Sequence, residues 1–121
     1  MFRATLSLLL VALFGSLFAL ASPIEKRQLG GRGTWFDVGL GACGLYNVDS
    51  DFIVALATPD YAGGAHCNQM ITITANGQTA SAQVRDECPS CNSGSIDMSP
   101  GLFQQFASLD VGVVEVSWNY D

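Results

Sequence analysis

The sequence predicts a small, mainly β domain, closed into a barrel and carrying one short α-helix. Three observations point there. Residues 70–75 (Met-Ile-Thr-Ile-Thr-Ala) alternate apolar and polar and run into Asn76-Gly77, a dipeptide suited to a tight hairpin turn. Residues 113–118 alternate again, with Val114, Val116 and Trp118 on one face. Residues 52–57 (Phe-Ile-Val-Ala-Leu-Ala) are continuously apolar, as in a strand buried on both faces. At this size, closing the sheet on itself is the direct way to hide strand edges.

The other elements follow in chain order. Gly30, Gly31 and Gly33 predict a flexible start, and Thr34-Trp35-Phe36 a short strand. Gly39, Gly41 and Gly44 force irregular backbone around Cys43. Residues 58–64, with Pro59, read as a loop, and residues 79–86 as the returning hairpin strand. Ser99-Pro100 suits a helix start, with a cap followed by proline in the first turn. Leu102, Phe103, Phe106 and Leu109 form its apolar stripe, and Asp110 and Gly112 end it.

Ahead of this domain the chain carries targeting signals. Arg3, the apolar residues 6–20 and Ala19-Leu20-Ala21 fit a secretory signal peptide over residues 1–21. The apolar run is short for a membrane span. Residues 22–27 form a short propeptide ending in the dibasic pair Lys26-Arg27, so the mature domain is expected to be residues 28–121. In that segment Arg32 and Arg85 face ten carboxylates, a formal charge of −8. Nucleic acid and anionic membrane demand the opposite sign, so both are disfavoured as partners. A neutral polymer such as a cell-wall glycan fits, with the protein acting as a monomer. No cofactor and no metal site is implied.

Four cysteines remain in the mature segment, in an oxidising compartment. Three pairings are open, and Cys43–Cys67 with Cys88–Cys91 is favoured. The first closes a loop of about 24 residues, contributing roughly 3 kcal/mol in the chain-entropy picture. A redox role for Cys88-x-x-Cys91 lacks a surrounding βαβ pattern, and zinc binding through His66, Cys67, Cys88 and Cys91 conflicts with secretion.

The chemistry concentrates around the Cys-Pro-Ser-Cys loop, which Asp86 and Asp97 bracket. Asp86 is expected to end a strand and Asp97 to open the helix, two junctions of the kind where binding residues gather. Bland readings stand beside these: Asp97 as a helix cap, Asp86 paired with Arg85 or holding its loop, Asp37 as a solvated turn residue. Trp118 belongs to the core by its alternation, and His66 to structure. Trp35, Tyr46 and Tyr61 are stacking candidates.

Four motifs now occur in order: Gly33-Thr34-Trp35-Phe36, Gly41-Ala42-Cys43-Gly44, Val84-Arg85-Asp86 and Ile96-Asp97-Met98-Ser99. With the helix and final strand behind them, they resemble the six-stranded double-psi β-barrel of the RlpA-like and expansin group, most of all fungal loosenins. The resemblance spans residues 31–119. It implies a shallow polysaccharide groove with Thr34, Asp86 and Asp97 as polar positions and Trp35 or Phe36 as an aromatic one. Tyr46 and Asp37 are further candidates for substrate contact.

Asp97 corresponds to the general acid of related family 45 glycoside hydrolases. Their base falls where this chain has Val38, with Asp37 one residue out of register. Ser95-Ile96 replaces the His-Phe of expansins proper, and no second carbohydrate-binding domain is seen. The resemblance therefore implies loosening of cellulose or chitin without hydrolysis. The rivals are a weak glycoside hydrolase or lytic transglycosylase using Asp97, and a secreted protease inhibitor or plant-interaction effector.

Overall fold

Six strands close into a barrel because each offers one apolar row to a shared interior. The computed structural model describes residues 28–121. The expected signal peptide and propeptide lie outside them. The strands are β1 (Leu29–Trp35), β2 (Ile53–Ala57), β3 (Met70–Ala75), β4 (Gln78–Cys88), β5 (Ile96–Met98) and β6 (Val114–Tyr120). Their order around the barrel is β1-β5-β2-β4-β3-β6. β1 pairs β5, and β2 pairs β4, in parallel; the remaining contacts are antiparallel. These two interleaved parallel pairs belong to the six-stranded double-psi barrel that the motifs imply.

The core is the one the alternation predicts. Val114, Val116 and Trp118 of β6 are buried, as are Ile71 and Ile73 of β3, Val54 and Leu56 of β2, and Ile96 and Met98 of β5. The buried Trp118 indole donates to the Gly94 carbonyl at 2.8 Å, satisfying its one polar atom. Asn76 and Gly77 both take positive φ in the hairpin turn. Both favoured disulfides form, Cys43–Cys67 and Cys88–Cys91. Among the described residues no helix is long and apolar enough to cross a membrane.

Several expectations need correction. The glycine-rich start is strand, not flexible lead-in: β1 begins at Leu29. Its glycines make room, since a Cβ on Gly33 would stand 2.7 Å from both Met98 and Val116 side chains. Residues 58–64 are not plain loop but one helical turn, α1 (Thr58–Tyr61), and a 3₁₀ turn over Ala62–Gly64. The helix after Ser99, α2, covers only Pro100–Phe103. Ser99 does not cap it through its side chain: the hydroxyl donates to the Asp51 carbonyl and accepts from the Ile53 amide, tying α2 to β2. Leu102, Phe103 and Phe106 still bury against the barrel, and Leu109 falls in a separate 3₁₀ turn. Tyr61 is core, not a stacking surface, with its hydroxyl 3.4 Å from Cys67 Sγ.

Candidate functional site

Register brings the flagged polar residues into one line. Thr34 on β1 stands opposite Asp97 on β5, Asp97 opposite Ala55 on β2, and Ala55 opposite Asp86 on β4. Residues in register share a face of a sheet. The neighbours of Asp97, Ile96 and Met98, are fully buried, so the Asp97 row faces outward. Asp97 therefore lies mid-strand; it neither opens nor caps a helix, because α2 begins three residues later at Pro100.

Asp86 joins the row through an irregularity. Val54 pairs Val84, yet Ala55 pairs Asp86, so Arg85 is the extra residue of a bulge. Strict alternation after buried Val84 would turn residue 86 inward; the bulge turns it out. Two strand spacings separate Asp86 from Asp97, about 9–10 Å. Ala55 lies between them and is itself covered, at 3% exposure.

The two carboxylates have different partners. Asp97 Oδ1 accepts from the Thr34 hydroxyl at 2.9 Å, and the Met98 amide also donates to this carboxylate. Burial pushes the Asp97 carboxyl above its ordinary value, and the nearby Asp86 charge adds to the rise; the Thr34 and Met98 hydrogen bonds oppose it. Asp86 Oδ1 accepts from the Ala42 and Glu87 amides, both at 2.8 Å. Asp86 thus holds the 41–45 loop and does not pair with Arg85, whose guanidinium donates to Gln83.

Two loops rise beside this floor. One runs through residues 39–49, is pinned by the Cys43–Cys67 disulfide, and carries Tyr46, 79% exposed and bridged to Leu40. Leu40, Leu45 and Val48 are exposed there too. The other, residues 88–95, walls a pocket of about 190 Å³ beside Asp97, lined also by Arg32 and Thr34.

The remaining candidates lie as follows. Trp35 packs against the core with its indole donating to the Leu109 carbonyl at 2.8 Å. Phe36 is half-buried just past β1, its amide donating to the Met98 carbonyl. Asp37 is exposed beyond the strand end. His66 stacks on Tyr120 and meets Gln69 through Nδ1. The sequence reading passed over Arg32, Ser90, Asn92 and Ser95 of the pocket. Arg32 and Ser95 each precede a flagged residue by two positions, so strand alternation was the signal available for both.

No protein-family model matches the chain. Over 106 residues it is 34% identical to the papain inhibitor of Streptomyces mobaraensis, covering 81% of this chain and 74% of that protein. It is 35% identical over 89 residues to kiwellin of Actinidia chinensis var. chinensis, covering 61% of this chain and 42% of that one. Among solved structures, a point mutant of Clavibacter michiganensis expansin in complex with cellohexaose superposes with a TM-score of 0.73 at 24% identity, over 78% of this chain and 50% of that chain. The Streptomyces papain inhibitor superposes with a TM-score of 0.68 at 34% identity, over 78% of this chain and 94% of that one. The chain thus spans about three quarters of the curated papain inhibitor and half or less of kiwellin and expansin.

Proposed function

The chain belongs to the expansin-like family of double-psi β-barrels, and from that premise we propose that it is a secreted, loosenin-like protein that binds cell-wall polysaccharide and loosens it without hydrolysis. The observation that carries the reading is the outward row Thr34–Asp97–Ala55–Asp86. A sugar lying along it meets a hydroxyl and two carboxyl groups, all able to exchange hydrogen bonds with glycan hydroxyls. Such exchange competes with chain-to-chain hydrogen bonds in cellulose or chitin and lets chains slip. Phe36 and Tyr46 supply apolar faces near the two ends, and Trp35 braces the strand beneath. The cellohexaose complex of an expansin with this fold supports the substrate class.

The absence of cleavage is part of the proposal and rests on the placement of the carboxylates. A glycosidase sets two carboxyl groups on opposite sides of the scissile bond. Asp86 and Asp97 lie side by side along one sheet, and Asp37 is exposed past the end of β1. Asp97 is thus proposed as a general-acid-like binding group without a base opposite. Secretion rests on residues 1–21, with maturation after Lys26-Arg27 and a monomeric domain over residues 28–121. Incubation with cellulose and chitin fibres should lower fibre strength while releasing no reducing sugar. Soluble sugar that disappears in Asp97→Asn would instead make this a hydrolase or lytic transglycosylase.

A second reading, inhibition of a cysteine protease, is favoured by one observation. The papain inhibitor matches at 34% identity in sequence, and its solved chain is covered to 94%. The exposed apolar side chains of residues 40–48 are the surface such a role would use. Titration against papain separates the readings: stoichiometric loss of protease activity supports inhibition, and unchanged activity removes it.

A further inference from the structure

The pocket beside residues 88–95 shares Thr34 and Asp97 with the row and extends it toward Arg32 and Asn92. It holds about 190 Å³, and its polar walls are Arg32, Thr34, Ser90, Asn92, Ser95 and Asp97. Three ties fix the wall. The Cys88–Cys91 disulfide clips the loop's start. Asp60 on α1 accepts from the Ser93 hydroxyl at 2.8 Å and from the Gly94 amide at 2.7 Å. Ser95 Oγ accepts from the Arg32 amide at 3.1 Å. A wall held this way is preorganised, so a ligand does not have to order it.

Its donors are unusual for this chain. Arg32 and Arg85 are the sole cationic side chains among residues 28–121. Arg85 is engaged by Gln83, whereas the Arg32 guanidinium has no hydrogen-bond or ion-pair partner among the described residues, although Glu115 stands opposite on β6. A guanidinium only donates, and a carboxamide such as Asn92 both donates and accepts. The chemistry that answers this set is a fixed carbonyl acceptor next to an N–H, beside a sugar ring. That is an acetamido group. A carboxylated sugar would also suit a guanidinium, but the −8 charge of residues 28–121, with Asp97 in the same pocket, repels a polyanion. Cellulose offers hydroxyls and ether oxygens but neither a carbonyl nor an N–H.

We propose that this pocket is an acetamido subsite and that it biases the groove toward polymers of N-acetylglucosamine over cellulose. The proposal rests on the polysaccharide reading above and names its substrate class. The test is calorimetric titration of the mature protein with three probes: the N-acetylglucosamine hexamer, cellohexaose and a galacturonate hexamer. A charge-assisted hydrogen bond to the acetamido carbonyl predicts about tenfold tighter binding of the first over the second. Arg32→Ala is expected to bring that ratio close to one, with Asn92→Ala falling between. A ratio near one in the unaltered protein, or a ratio that Arg32→Ala leaves intact, overturns the proposal. Tightest binding of the galacturonate hexamer overturns it too, making the pocket an anion site. If cellohexaose binds and the ratio is one, only this proposal fails; if no glycan binds, the polysaccharide reading falls with it.

Discussion

Replacing the Cys43–Cys67 disulfide with two alanines is expected to destabilise the domain by about 3.5 kcal/mol, and replacing Cys88–Cys91 by only about 2 kcal/mol. The difference comes from chain length. The first bridge joins residues 24 apart and the second residues 3 apart, so the first removes far more freedom from the unfolded chain. The long bridge also ties the 39–49 loop to the barrel, next to the buried Tyr61 hydroxyl, which approaches both of its sulfurs. With an unfolding entropy near 2.1 cal/mol/K per residue, the losses correspond to drops in Tm of roughly 15–20 °C and 8–10 °C. Urea and thermal unfolding of Cys43→Ala/Cys67→Ala and Cys88→Ala/Cys91→Ala, read by near-UV circular dichroism, give both numbers. Equal losses, or a loss below about 1 kcal/mol for the long bridge, would refute the loop-length reasoning.

Other substitutions test the site and its supports. Gly94→Ala combines a φ of +88° with a Cβ driven onto the Gly30 carbonyl, so denaturation should show a loss above about 2 kcal/mol; Gly39→Ala, with nothing within 4 Å, should be close to neutral. Asp97 has a carboxyl raised above 3.8 by burial, so the native state holds the proton more tightly than the unfolded chain. Its contribution to stability therefore falls as pH rises from about that value through the raised native one. Asp97→Asn should remove this fall and gain stability relative to the unaltered protein toward neutral pH, which urea midpoints from acid to neutral pH check. Thr34→Val deletes the hydrogen bond that lowers the Asp97 value, so carbon-detected NMR titration should find that carboxyl shifted further up.

What was legible in the chain depended on local signals. Alternation in residues 70–75 and 113–118, the Asn76-Gly77 turn and the apolar run before Thr58 each determine their own strand, and the structure agrees. The first half of β1 was hidden because its glycines lower strand propensity while Gly33 serves close packing against Met98 and Val116, a property of the assembled barrel. β5 spans three residues, too short for a period to register, so Asp97 was assigned to the helix that follows. The row itself is non-local. It needs the β1–β5 and β2–β4 parallel pairings and the Arg85 bulge, none of which leaves a pattern in neighbouring residues. The pocket stayed unseen for the same reason: Arg32 and Asn92 are separated by most of the barrel in sequence and meet only through β1–β5 pairing.

The central claim is that a glycan lies on the Thr34–Asp97–Asp86 floor and leaves it intact. Amide chemical-shift mapping of the labelled mature protein with N-acetylglucosamine and cellulose hexamers, followed by mass spectrometry of the same samples after prolonged incubation, tests it most directly. Shifts centred on residues 34, 86 and 97 are expected, with the hexamers recovered at full length. Shifts confined to the opposite side of the barrel, or shorter oligosaccharides whose formation stops in Asp97→Asn, would contradict it.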